Sequence, residues 1–172
     1  MTVPVFVSSP TALTTAQTSF YDSLADTLRR EGFEPRSVGR TDFGNSVPLI
    51  TIRRLMSSCF GALILGFAQL RVDSGISRPA TPRETQVRGI SLATPWNHLE
   101  AGMAFQAGLP LMVIREAAVT DDGIFGLGVS DRFVHHADLS PEWLLSSSFT
   151  QPFAEWCDEV RAQTRLPSPR TI

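Results

Sequence analysis

Ala62-Leu63-Ile64-Leu65, closing on Gly66-Phe67, is the stretch that decides the fold. Four apolar residues in a row, with no polar alternation, suit a strand buried on both faces, the pattern of a parallel sheet rather than a half-solvated antiparallel one. Upstream, Val3 to Ser8 is a β-branched run that breaks into a loop at Ser8-Ser9-Pro10, and Glu34 to Val38 is a further candidate strand. Between these runs, Ala16 to Arg30 sets Phe20, Tyr21, Leu24, Ala25 and Leu28 at helical spacing before Gly32. After a polar loop over Gly39 to Val47, Pro48 suits the first turn of a helix carrying Ile52, Leu55 and Met56. The order βαβαβ implies right-handed crossovers and a parallel sheet.

Beyond that core the composition changes. Residues 71–93 are rich in Arg, Ser, Thr, Pro and Gly without a sustained period, and read as an inserted, mobile loop. Thr94 then serves as an N-cap, Pro95 as first helical residue, and Trp96 to Ala107 as a helix ended by Gly108. Leu111 to Ile114 is the fourth strand, Asp121 to Ser130 a Gly-rich loop, and Arg132 to His135 a short fifth strand. Ser140-Pro141-Glu142 opens one or two terminal helices interrupted at Pro152, and the tail from Pro167 to Ile172 is expected to fray. The expected fold is a three-layer α/β, flavodoxin/Rossmann-like open parallel sheet of about five strands with helices on both faces. Residues 1–139 would form it, and 140–172 a helical extension packed on the same domain.

The bulk numbers narrow the function classes. With 172 residues, 42% of them hydrophobic, one domain is the default. Fifteen basic residues against 17 acidic give no field that would hold phosphate backbones or anionic lipid, so neither nucleic acid nor a membrane is expected as a partner. Every basic residue is Arg, which removes Schiff-base chemistry and lysine-dependent phosphate loops. Cys59 and Cys157 lack a metal-ligand spacing, so no metal site is expected and the thiols read as reduced and buried. The opening MTVPVFVSSP has no basic, apolar leader pattern, and no stretch reaches membrane-span length, so the expected compartment is the cytoplasm.

The chemistry concentrates in Thr94-Pro95-Trp96-Asn97-His98-Leu99-Glu100-Ala101-Gly102-Met103-Ala104. On a helix, Trp96, Glu100, Met103 and Ala104 share one side, which is otherwise apolar or small. A carboxylate there is desolvated unless it lines a cavity, and such burial points to function. The plainer alternative has Glu100 on the surface or satisfied by Arg40 or Arg115. Trp96 alone is more often a core residue than a ligand-stacking one, Asn97 a partner for first-turn amides, and His98 a solvent-facing or structural side chain.

The spacing Thr94-x-Trp96-x-x-x-Glu100 resembles the Ser-x-Trp-Cys-x-x-Glu signature of TIR domains. Glu100-Ala101-Gly102 followed by Gly108-Leu109-Pro110 is similar to the helix-to-strand passage of nucleoside 2-deoxyribosyltransferases, and Val5-Phe6-Val7-Ser8 looks like the first TIR strand. Asn97 stands where the TIR pattern has Cys, and 71–93 is longer than a standard TIR connection. The resemblance covers about the first 115 residues, judged by element order. It implies that Glu100 acts at the anomeric carbon of a nucleoside or of NAD, taken as substrate with no separate cofactor. It also implies that Trp96 flanks the cleft, that Ser8 and the Arg40 to Phe43 loop approach the ligand, and that the enzyme self-associates or meets a partner protein. A bacterial role in nucleotide depletion during antiviral defence is implied likewise.

Residues at the strand ends supply the remaining candidates: Ser8, Ser9, Arg40, Asp42, Phe43, Gly66 and Phe67, with Trp96 and Asn97 beside Glu100. Arg40 suits a phosphate or is simply solvated, Asp42 suits ribose hydroxyls, and the Ser8-Ser9 pair suits a phosphate or caps the next turn. Cleaving a ribosyl C–N bond develops positive charge on the sugar, which a fixed carboxylate stabilises. Nicotinamide leaves NAD as a neutral base, so no second acid is required. Three functions follow: an N-glycosidase acting on NAD or a related nucleotide, a nucleotide-sensing or adaptor module without turnover, and 2-deoxyribosyl exchange between bases. The terminal aromatics Trp143, Phe149, Phe153 and Trp156 either pack on the sheet or form a self-association surface.

Overall fold

The structure is a computed structural model that describes residues 2–130 and 132–165. Among the described residues, seven strands and four α-helices follow one another as β1 (Val3–Ser8), α1 (Thr15–Arg30), β2 (Phe33–Arg36), α2 (Pro48–Ser57), β3 (Ala62–Gly66), β4 (Leu70–Ser77), β5 (Thr85–Leu92), α3 (Pro95–Gln106), β6 (Leu111–Glu116), β7 (Val134–Ala137) and α4 (Ser147–Gln163). Short 3-10 turns at Gly123–Phe125 and Pro141–Leu145 precede β7 and α4.

Five strands form one sheet in the order β2-β1-β3-β6-β7, every pairing parallel. Counted within that sheet, the order is 2-1-3-4-5, the doubly wound arrangement expected from the sequence. The runs that suggested two-sided burial are so buried: every residue of β3, and Leu111 to Arg115 of β6. One core layer joins β1, β3 and β6 to α1 and α4 through Phe20, Leu24, Leu63, Phe153 and Trp156. The other joins the same strands to α2 and α3 through Ile52, Met56, Ile64, Ala101 and Val113. Helices therefore cover both faces, and each buried Phe or Leu contributes roughly 1.5–3 kcal/mol.

Local signals explain most boundaries. The Thr14 side chain accepts from the Gln17 amide while the Gln17 side chain caps the Thr14 N–H, a reciprocal box that starts α1. Gly32 ends it with φ of 84°, a left-handed value that favours glycine. Thr94 caps α3 and Pro95 opens it. Pro152 lies inside α4 without breaking it; its missing N–H falls in the second turn, where the unpaired carbonyl belongs to the exposed Ser148. The terminal aromatics pack on the sheet. Trp156 stacks near Phe153, meets Phe33 edge-on at 5.7 Å and donates its indole N–H to the Pro110 carbonyl.

Three expectations need correction. Residues 71–93 are an antiparallel hairpin, β4 with β5, and not a structureless loop. Its period was hidden because Ser74 and Arg88 interrupt the alternation of Leu70, Val72 and Ile76 and of Ile90 and Leu92, on a ribbon with no fully buried residue. The strand nearest the C-terminus runs Val134–Ala137 rather than Arg132 to His135, because the apolar pair Val134 and Ala137 faces the two cores while Phe133 is 68% exposed. The segment after Pro141 is a 3-10 turn and one continuous helix. The proposed fraying from Pro167 onward lies outside the described residues.

Candidate functional site

A cleft of about 340 Å3 opens at the carboxyl end of the sheet, where the chain leaves β1 in one direction and β3 in the other. Open α/β sheets bind ligands at this switch point, and the size falls at the lower end of small-molecule sites, which run roughly 300–1,000 Å3. Ser9 and Pro10 after β1, Val38 after β2, Pro48 and Ile52 of α2, and Gln69 before β4 form its sides. The first turns of α3 supply Thr94, Trp96, Asn97 and Glu100.

Glu100 is 9% exposed, and burial pushes its carboxyl group up to about 7, against a smaller lowering effect of the Ser8 hydroxyl. Its position follows from helix spacing. Thr94 fixes the start of α3, and Glu100 then falls one turn beyond Trp96, on the side turned toward β1 and the cleft. Asn97 is 1% exposed and donates from Nδ2 to Ser8 Oγ at 2.8 Å and to the Leu65 carbonyl at 3.2 Å. Its Oδ1 accepts from the Thr94 hydroxyl at 2.9 Å. Trp96 is 46% exposed, so much of its indole is free to meet a ligand.

The sequence candidates separate into two groups. Ser9, Trp96, Asn97 and Glu100 line the cleft, and Ser8 is buried next to it, bound to Asn97. Ser9 Oγ is engaged with the Pro10 carbonyl at 3.2 Å. The others stand apart from the lining. Arg40 donates to the carbonyls of Pro10 and Thr11 and lies 4.6 Å above the Tyr21 ring, bracing the loop that walls the cleft. Asp42 is bound to Arg36 and Thr41, and Phe43 is 81% exposed. Phe67 is buried edge-on against Phe20 at 6.1 Å, and a Cβ on Gly66 would strike the Phe125 ring at 2.4 Å. His98 is structural: its Nδ1 accepts the Ile124 N–H at 3.3 Å and its ring packs on Phe125.

Sequence reasoning missed two supports. Glu116 Oε2 accepts from Gln17 Nε2 at 2.9 Å and from the Ala68 N–H at 2.8 Å, tying the end of β6 to α1 and to the strand leaving β3. Gln17 was visible as the third helical residue after Thr14, although nothing local announces its contact with Glu116. Gln69 contributes to the lining from a segment whose strand character was hidden. Among the described residues no three His, Cys, Asp or Glu side chains gather as a metal site, and no helix is long and apolar enough to cross a membrane. No protein-family model matches the chain, and neither does any curated protein.

Proposed function

We propose that the protein is an N-glycosidase that cleaves the ribosyl C–N bond of NAD or a related nucleotide, with Glu100 as the reacting carboxylate. The observation that carries this reading is a single buried carboxyl group on the wall of a cleft, beside a half-exposed indole, at the sheet's ligand edge. As the C–N bond breaks, its electron pair goes to the base nitrogen, and the pyridinium ring of NAD departs as neutral nicotinamide. The cation left on the sugar is stabilised by, or bonded to, the ionised Glu100, and water then completes hydrolysis. Trp96 supplies an aromatic wall for the base, and Asn97 ties the start of the helix that carries Glu100 to Ser8 at the end of β1.

A second reading, 2-deoxyribosyl transfer from a nucleoside, is favoured by one specific feature. None of the side chains lining the cleft is cationic. The cleft thus suits a sugar and base, and in NAD the pyrophosphate would lie outside it. Incubation with NAD, nicotinamide riboside and a set of deoxynucleosides, with and without a second base, distinguishes the two by mass-spectrometric product identification. Glu100→Ala should abolish turnover of whichever substrate is accepted. A Glu100→Ala variant as active as wild type removes Glu100 from the reaction, and saturable binding without product makes the protein a sensor or adaptor.

A further inference from the structure

We propose that the β4–β5 hairpin is an arm that pairs antiparallel with the same arm of a second copy of this chain, setting the basic tip of each on the acidic root of the other. The arm has little support within its own chain. β4 and β5 pack chiefly on each other, hold no fully buried residue, and leave Leu70 and Ile76 58% and 53% exposed. A two-stranded ribbon alone in water is marginally stable, so a surface that covers it gives it order. Eight residues in each strand make the arm roughly 25 Å long, enough to separate what its two ends carry.

The choice of partner rests on charge. Residues 70–92 hold four Arg against Asp73 and Glu84, a net +2 in a chain whose total is −2. Arg78 and Arg83 stand in the turn between the strands and Arg88 on β5, all exposed and in no ion pair among the described residues. Glu84 beside them takes the Ala80 N–H at 2.7 Å. At the root, Arg71 is neutralised by Asp73 at 2.9 Å. There the Thr120 N–H meets the Ser91 carbonyl at 2.8 Å, which brings in Asp121 and Asp122, next in the chain, exposed and likewise without an ion pair. The arm thus runs from an acidic root to a basic tip. Such a gradient repels a parallel copy and matches an antiparallel one. A two-fold axis at mid-arm, near Ser74 and Arg88, makes both tip-on-root contacts equivalent. The same pairing brings Ile76 of each copy towards Leu70 of the other. Exposed ion pairs are individually weak and the shared surface is small, so the dimer is weak and sensitive to salt.

The test is an exchange of charge. Sedimentation equilibrium of the wild type at low salt should show monomer and dimer in proportions that change with concentration. In roughly 1 M salt, where the screening length falls to about 3 Å, monomer alone should remain. Arg78→Glu with Arg83→Glu should be monomeric, and so should Asp121→Arg with Asp122→Arg, because each sets like charges against each other at both contacts. Mixed in equal amounts, the two variants should dimerise at the concentrations where wild type does, since each tip then meets a root of opposite sign. Circular dichroism establishes that each is folded. A chain with residues 75–87 replaced by Asn-Gly lacks the tip and should be a monomer by an independent route. A wild type that stays monomeric throughout, a variant or shortened chain that dimerises alone as wild type does, or a mixture that remains monomeric overturns the proposal. None of these readouts depends on the reaction proposed above.

Discussion

Arg36 and Asp42 close the turn after β2 with a two-pronged ion pair, Nε to Oδ2 at 2.8 Å and a second guanidinium nitrogen to Oδ1. The guanidinium holds the Asp42 carboxyl group below its ordinary value, with the Thr41 hydroxyl adding to the effect. A depressed carboxylate stabilises the fold above the ordinary range and loses that contribution as pH falls through its folded-state value. Asp42→Asn should therefore lower the melting temperature at neutral pH, by about 1 kcal/mol once solvent screening is allowed for, and have little effect in acid. Substrate KM should not change. A ribose contact would give the opposite result, a raised KM with stability intact.

Glu100 titrates with the reverse sign. Its folded value, about 7, lies above the ordinary 4.5, so the folded chain holds a proton that the unfolded chain has lost. Stability attributable to this group falls as pH rises from 4.5 towards 7 and is level above that, a difference on the order of 3 kcal/mol. Glu100→Gln should raise the melting temperature by several degrees in mild alkali and by little in acid. If the ionised form reacts, kcat/KM of wild type should rise with pH through about 7. Thermal melts of both proteins over this range, beside a pH–rate profile, check the two statements separately.

These pH effects arise from a site that was only partly legible in the sequence. The parallel sheet was readable because Ala62 to Leu65 and Leu111 to Ile114 are uninterrupted apolar runs, and such runs need cover on both faces. Glu100 stood out as a carboxylate on an apolar helix side. Asn97, read as a candidate ligand contact or a partner for first-turn amides, is a buried strut whose partners, Ser8 and Leu65, the sequence could not announce because they are 89 and 32 positions away. Arg40 and Asp42 also have partners that the sequence did not announce, Pro10 at 30 positions and Arg36 at six. Each is chemically fit for a ligand and is engaged within the protein.

Trp96 offers a sharp separation of binding from folding. Nearly half of it is exposed, so its truncation removes little core. Trp96→Ala should change stability by less than about 1 kcal/mol, within the range of ordinary surface substitutions. Loss of an aromatic wall for the base should raise KM or Kd by roughly tenfold, equivalent to about 1.4 kcal/mol. Trp96→Phe should recover most of that affinity. A large fall in melting temperature with unaltered binding would make Trp96 a packing residue instead.

The hairpin should be dispensable for folding beyond its root. β4 and β5 contain no fully buried residue, and at the base the Thr120 N–H donates to the Ser91 carbonyl at 2.8 Å, tying the hairpin to the segment after β6. Ser74 and Arg88 are register partners, so an Asn-Gly turn joining them in place of residues 75–87 preserves the pairing below. Such a chain should melt within about 4 °C of wild type, corresponding to roughly 1 kcal/mol at this size. Gln69 and Thr94, which flank the root and line the cleft, should stay in place, leaving ligand affinity unchanged. A shortened chain that melts normally yet no longer binds would instead place the outer hairpin over the ligand.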